Sequence, residues 1–427
     1  MELSKVIKFG EKYGDVTLIL SNEKNNKLEF TNGKISNASH GESSVLEIRI
    51  SKGKKFGYAL TRNLKDWKST VLNAVKLMRV SRDLDFNVPL AEKTKANRIK
   101  NIFYKRAKEI SPTKLLSYGE NLMSEVDSSF NIPKAEVSNN YGEIKFMNSN
   151  GVFLKSKETS FSSSIEVSNG KLNSYEFHTS HDIHNTKNIG KKASELLKMK
   201  LHPKKISSFK GDVLFDHLAV SDLFESVIIP AVSADNVQLK KSNLANKLNK
   251  KVFSDALTII DDGVLPNGLF SSPFDGEGSP TSKTTIVRDG FLREFLYDIY
   301  SAKKDGVKST GNSVGIDKLP NIGPSNFVIK RGTFSRDEMY SEIKRGVYVR
   351  EIFGSHLINT ITGDCSVGAE NVFYIKNGKV IHPINQAMVS FNLFDALKKV
   401  RVIGKDYRQE SHVAALPMIF KNVQVIS

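Results

Sequence analysis

Five dipeptides of one kind punctuate this chain: Asn32-Gly33, Asn150-Gly151, Asn169-Gly170, Asp289-Gly290 and Asn377-Gly378. Each sits between runs of strand-forming residues. A two-residue hairpin turn demands positive φ, which Asn, Asp and Gly tolerate best. Each dipeptide therefore predicts a hairpin, most clearly over residues 374–381 and 286–292. So many hairpins imply extensive antiparallel sheet.

Helices are fewer. Leu64, Trp67, Val71, Val75 and Met78 mark one apolar face at helical spacing. Ser111-Pro112 reads as an N-cap followed by proline at the first helical position, with Leu115, Leu116, Leu122, Met123 and Val126 as the buried stripe. Ile189, Ala193, Leu196 and Leu197 suggest a third helix. A fourth spans about 218–235, where Pro230 should kink or break it. A weak repeat runs through the first half: the Ser, Glu and Lys residues after Asn32-Gly33 recur after Asn150-Gly151, and each block ends in a helix. A duplicated sheet-and-helix unit and two unrelated hairpins both fit that pattern. The basic stretch 198–210 reads as a linker. The expected fold class is α+β: an N-terminal domain of antiparallel sheets and helices over 1–205, then a β-rich C-terminal domain over 206–427.

Composition excludes several functions. Cys365 is the single cysteine, so neither a disulfide framework nor a cysteine-rich zinc site is possible within the chain. The first residues mix charge with apolar side chains and lack a signal-peptide core. The longest apolar run, 226–234, is too short to span a bilayer and contains Pro230. A cytoplasmic protein without membrane contact is expected. The net charge of +17 could attract nucleic acid. However, none of the basic clusters at 93–108, 198–210 and 240–251 is interleaved with the aromatic pattern of an RNA- or single-strand-binding platform, so they read as solvated surface and nucleic acid is not the expected partner.

No histidine is followed by glutamate, which removes the helical zinc-peptidase pattern. His178, His181 and His184 cluster, but on apparent strand and loop, where exposed histidines are common. There is no nucleophile elbow and no phosphate-binding P-loop. Cys365 reads as a small buried strand residue. Carboxylates concentrate at Asp261-Asp262 and in residues 274–281, where Asp275 and Glu277 stand two apart in a Gly/Pro-rich loop. Acid–base work and plain turn architecture are both open there, and the turn reading is favoured.

The same segments carry a family resemblance. Residues 275–281, Asp-Gly-Glu-Gly-Ser-Pro-Thr, are similar to the D-x-E-G-x-P-T stretch of the TldD/PmbA metallopeptidase family. Residues 359–369, Asn-Thr-Ile-Thr-Gly-Asp-Cys-Ser-Val-Gly-Ala, resemble its N-x-x-T-G-D-F-S-x-G-A signature. Tyr300 to Asn312 and the hairpin at 375–379 agree in order and spacing, so the detailed match covers about 211–427. The resemblance implies a two-subunit peptidase in which a TldD-like subunit holds zinc through H-E-x-x-x-H and a C-terminal cysteine. Here Glu225, Ser226 and Pro230 stand at those motif positions, and 404–427 contain no cysteine. The TldE/PmbA-like subunit is therefore the closer match. It would carry no catalytic residue, metal or cofactor, with zinc in the partner. That implies a heterodimer with a TldD-like chain, or a homodimer in its absence, acting on peptides or unfolded protein segments. By motif position, Asp275, Glu277, Gly278, Asn359, Thr362 and Gly363 are the substrate-cavity candidates. Two other readings stay open. One is a peptidase with an unrecognised site. The other is a DNA-binding modulator of gyrase, after a label the family carries.

Overall fold

The computed structural model describes residues 2–426. All five X-Gly dipeptides lie at turns between paired strands. Asn32, Asp289 and Asn377 each adopt positive φ, as does the glycine that follows.

The first half folds as two α-β-β-β-α runs. The first comprises α1 (Leu3–Gly10), β1 (Asp15–Thr31), β2 (Lys34–Lys52), β3 (Lys55–Thr61) and α2 (Trp67–Val80). A short helix, α3 (Lys105–Lys108), then leads into α4 (Pro112–Ser124), β4 (Asn131–Asn148), β5 (Phe153–Ser168), β6 (Asn173–Ser180) and α5 (Lys187–Met199). The two meanders share one six-stranded sheet, in the order β3-β2-β1-β4-β5-β6. β1 and β4 pair antiparallel at its centre, from Thr17↔Asn148 to Thr31↔Lys134. The helices cover one face. Val71, Ala74, Val75 and Met78 of α2 pack on Leu18, Leu46 and Ile48, and Leu115, Leu122, Ile189 and Ala193 pack on Val137, Phe161 and Ile165. The Ser111 hydroxyl accepts the Lys114 N–H and caps α4, as its sequence predicts.

The second half begins with β7 (Phe209–Phe215). A helical segment follows, made of α6 (His217–Leu223), one π turn (Phe224–Ile228), α7 (Ile229–Val232) and, after a break, α8 (Ala234–Gln238). Helical backbone continues through Pro230 to Val232, so the break comes later than expected. The wider π turn just before it accommodates the ring and the missing N–H. The break falls at Ser233, whose backbone is extended (φ −77°, ψ 125°) and whose hydroxyl donates to Ile229 O.

Two sheets complete the half. One runs β10-β9-β8-β11-β17-β16, built from β8 (Ile259–Asp262), β9 (Lys283–Arg288), β10 (Phe291–Leu292), β11 (Phe327–Ile329), β16 (Arg408–Gln409) and β17 (Val413–Ala415). The other runs β12-β7-β18-β15-β13-β14, built from β12 (Arg345–Phe353), β13 (Asp364–Lys376), β14 (Lys379–Ile384), β15 (Ala387–Asn392) and β18 (Met418–Ile426) with β7. An added β12–β13 pairing closes five of its strands into a barrel. α9 (Ile299–Asp305), α10 (Arg336–Ser341) and α11 (Leu393–Lys399) fill the connections. One large core joins the π-containing segment to both sheets. The protein is thus α+β, with antiparallel sheet first and a β-rich second half.

The close fit of α2 on β3 sets a test. A Cβ at Gly57 would lie 2.1 Å from Ala74 O and 2.3 Å from Met78 N, whereas one at Gly33 would meet nothing. Gly57→Ala should cost about 3 kcal/mol in urea unfolding. Gly33→Ala, strained only by its positive φ, should cost about 1 kcal/mol. Equal losses would show that the helix does not press on the sheet there.

Candidate functional site

The face of the N-terminal sheet opposite its helices meets loops of the second half around a chamber of about 550 Å³. Alternate residues of four strands supply the wall: Ile19 and Ser21, Glu47, Gly142 and Ile144, Ser156 and Glu158. Residues 269–276, 311–315 and 323–325, with Asp317 and His412, close it from the other side. Asp275, Glu47, Glu158, Asp317 and His412 line it, and no Lys or Arg does. The Tyr58 hydroxyl donates to Glu47 at 2.7 Å. The Glu158 carboxyl is accessible within the chamber, and its protein surroundings push its pKa upward.

The loop carrying Asp275, Glu277 and Gly278 forms part of this wall and is tied at every carboxylate oxygen. Asp275 Oδ1 accepts the N–H groups of Glu277 and Ser279, each at 2.9 Å, and Oδ2 accepts that of Ser313 at 3.0 Å. Burial, then the charge of Glu277, pushes the Asp275 carboxyl up to about 7. Glu277 points away from the chamber. Its Oε1 accepts from Arg49 Nη1 at 3.2 Å, and its Oε2 accepts the Ile299 N–H at the start of α9. Burial raises its pKa, with Arg49 opposing. Gly278 has φ +85°, and any Cβ there would strike the Phe146 ring. The turn reading of this loop thus has a concrete form: Asp275 and Glu277 gather N–H groups from three loops.

Asn359, Thr362 and Gly363 are not in the chamber wall. They form a turn before β13 that is held against residues 392–394, with Asn392 Nδ2 donating to Thr362 O and the Leu393 N–H to Gly363 O. Asn359 Oδ1 accepts the N–H groups of Ile361 and Thr362, and Gly363 N–H donates to Asn359 O. Gly363 has φ +79°, and a Cβ there would sit 2.4 Å from Phe394. The structure therefore separates the two motif groups, and Asp275 is the motif residue that lines the chamber.

Sequence reasoning passed over His412. Its ring stacks on Phe270 at 3.8 Å, its Nδ1 bonds Ser325 O, and its backbone N–H donates to Glu225 Oε1 at 3.1 Å. A lone histidine beside a serine carried no pattern that could have flagged it. His181 departs from the exposed-loop expectation: it is buried, and its ring nitrogens bridge Thr159 O and Gly268 O. Cys365 lies buried on β13, its thiol pushed up to about 12 by burial.

The motif positions for zinc were tested against the donors present. Glu225, Ser226 and Pro230 lie in the π turn and α7. Glu225 Oε1 is engaged by the His412 N–H, and proline offers no ligand atom. Among the described residues, no group of three His, Cys, Asp or Glu side chains converges to hold a metal. The residues present do not fit the family's zinc.

Two predictions follow from this geometry. Arg49 and Glu277 are almost wholly buried. Arg49→Met strands the Glu277 charge and should cost about 3–5 kcal/mol in urea unfolding, with Arg49→Met/Glu277→Gln recovering a large part. A loss below about 1 kcal/mol would mean that the pair does not hold the two halves together. The second concerns pH. Asp261, buried and pushed up to about 6, and Asp275, pushed up to about 7, both bind protons more tightly folded than unfolded. Their stabilising effect is complete below the usual carboxylate value of 3.8 and is lost as pH rises through 6 and 7. Asp275→Asn should flatten the fall of the urea midpoint between about pH 5 and 8. An unchanged slope would assign the titration elsewhere.

Models of the three PmbA/TldA metallopeptidase domains match this chain: domain 1 over residues 16–78, the central domain over 85–201 and the C-terminal domain over 208–427. An uncharacterized protein of Methanocaldococcus jannaschii is 34% identical over 99% of both chains. The metalloprotease PmbA of Escherichia coli O157:H7 is 28% identical over 67% of this chain and 63% of its own, so the match spans less than two thirds of the bacterial protein. A candidate DNA-gyrase modulator from Thermotoga maritima superposes with a TM-score of 0.89 at 25% identity, over 99% of each chain. TldE from Thermococcus kodakarensis shares the fold over the whole of both chains, at a TM-score of 0.90 and 24% identity. With all three domain models matched in order and a full-length relative above 30% identity, the chain belongs to the PmbA/TldD metallopeptidase family.

Proposed function

We propose that this chain is a TldE/PmbA-like, non-catalytic subunit of a two-component zinc metallopeptidase. It pairs with a separate TldD-like subunit that holds the zinc, and its chamber helps to enclose peptides or unfolded protein segments. The observation that carries this reading is the donor set at the zinc motif. Glu225 is tied to the backbone of His412, and Ser226 and Pro230, half-buried on the same helical segment, leave a set that cannot supply three ligands. The chamber supports the substrate class. Its wall mixes apolar side chains with Ser, Asn and carboxylate groups, and backbone from glycines 276, 311, 315 and 323 borders it. Glycines let an extended peptide backbone approach closely.

Elemental analysis and a peptide-hydrolysis assay on one purified sample test this directly. The chain alone should carry less than about a tenth of an equivalent of zinc and show no chelator-sensitive hydrolysis. Mixing it with a zinc-bearing TldD-like chain should give both a complex and activity. Zinc near one equivalent with hydrolysis by the isolated chain would overturn the proposal.

A further inference from the structure

A second cleft, of about 400 Å³, lies where β6 and the first turn of α5 meet His217, Arg336 and Arg408. It shares no wall residue with the acidic chamber, and its chemistry is the reverse. Lys192, Arg336 and Arg408 line it with three imidazoles, those of His178, His184 and His217, against the carboxylates of Glu176 and Asp406.

Buried acids behind the wall fix these groups in place. Asp216 accepts from both terminal nitrogens of Arg336, from the Tyr348 hydroxyl and from the His217 backbone N–H, and its Oδ1 lies 2.7 Å from His217 Nδ1. Glu410 Oε1 bonds His178 Nδ1 at 2.8 Å and Arg408 Nε at 2.7 Å. Glu176 is held between Arg350 and Arg408. These three carboxylates are engaged by the surrounding cations and hydrogen-bond donors, and Asp406 is the remaining carboxylate that lines the cleft.

What remains toward the cleft is a set of donors. Lys192 is exposed at the rim with no carboxylate partner among the described residues. Arg408 Nη1 makes only a 3.5 Å contact, to His217 Nε2. Glu410 holds His178 through Nδ1, so Nε2 is its remaining hydrogen-bonding atom. In the first turn of α5, Asn185 Oδ1 and Thr186 O accept the N–H groups of Lys187, Ile189 and Gly190, which leaves the Asn188 N–H without an acceptor among the described residues. A metal fits poorly: both nitrogens of His184 are bonded, to Ser163 Oγ and Ser180 Oγ, and no three ligating groups converge among the described residues. Guanidinium, ammonium and helix-terminal N–H groups around one cavity favour an oxyanion.

We propose that this cleft binds an oxyanion, the phosphate or carboxylate group of a ligand, through Lys192, Arg408, His178 and the Asn188 N–H. The proposal is independent of the peptidase reading.

Titration of the full chain at about 0.15 M salt, which screens the general positive surface, tests it. The probes are inorganic phosphate, followed by phosphorus NMR line width, and a short peptide with a free C-terminal carboxylate beside its amidated form, followed by calorimetry. Saturable binding is expected, weakened about ten-fold by Lys192→Ala and unchanged by Lys191→Ala, a neighbouring lysine outside the cleft. Saturation by phosphate alone would assign a phosphate-bearing ligand. Saturation by the free-acid peptide, lost on amidation and competed by phosphate, would assign a carboxylate. No saturable binding of either probe, or equal effects of the two lysine variants, would overturn the proposal.

Discussion

The two halves of the molecule meet over a buried charge. Arg49 stands on β2 with 1% exposure, and its guanidinium reaches Glu277, 228 positions away in sequence. Bringing both ions out of water is costly, and their attraction offsets that cost only with good geometry and further hydrogen bonds. Glu277 meets the condition through the Ile299 N–H. Arg49 meets it less well, because its Nε has no partner among the described residues. The contact is better understood as a registration device than as a large source of stability. Either half alone would leave an uncompensated ion, so the sheet and the 274–281 loop are driven to one relative position. Phe146 of β4, packed against Gly278 and beside Phe274, provides the apolar side of the same joint.

Around that joint, buried carboxylates organise the neighbouring loops. Asp275, Glu277, Asp261 and Asp298 each accept backbone N–H groups from a different stretch of chain: Ser313 for Asp275, Ile299 for Glu277, Ser325 for Asp261, Ser301 and Asn321 for Asp298. Asp261 does so from the paired strand β8, and Asp275, Glu277 and Asp298 from the connections around it, where strand pairing is sparse. Buried carboxylates are costly to retain, which argues that the loops need fixed positions at the chamber wall. An acid–base role for Asp275 would require it to release some of those N–H groups.

The hairpins were legible in the sequence because a two-residue turn is decided by two residues. Asn32-Gly33 and Asn377-Gly378 carry the whole requirement for positive φ within themselves. The Ser111-Pro112 helix start was legible for the same reason. Pro230 misled because the relief for its ring lies in the preceding π turn, a cooperative adjustment of five residues with no compositional mark. The motif residues were legible, but their spatial grouping was not: Asp275 and Asn359 belong to two separate family-like stretches and serve different turns, since what unites the chamber wall is tertiary pairing with β1, β2, β4 and β5. His412 and the Arg49–Glu277 contact depend wholly on such long-range pairing.

Charge distribution bears on the remaining functional alternative. The chain carries +17 overall, a value that taken alone suits a polyanion. Yet the chamber wall holds Glu47, Glu158, Asp275 and Asp317 without a single Lys or Arg, so the excess positive charge lies elsewhere. A nucleic-acid backbone would meet repulsion there, in a confined space where low-dielectric walls strengthen the field. A DNA-modulating activity would therefore have to use the outer surface, where the basic stretches 198–210 and 240–251 carry no aromatic platform for bases. A peptide faces no such conflict: its backbone is neutral, and its amide groups match the hydroxyl, carboxylate and carbonyl groups of the wall. The same field that disfavours phosphate would draw in amino termini and basic side chains, so the charge of the chamber wall, rather than the net charge of the chain, is what bears on the substrate class proposed above.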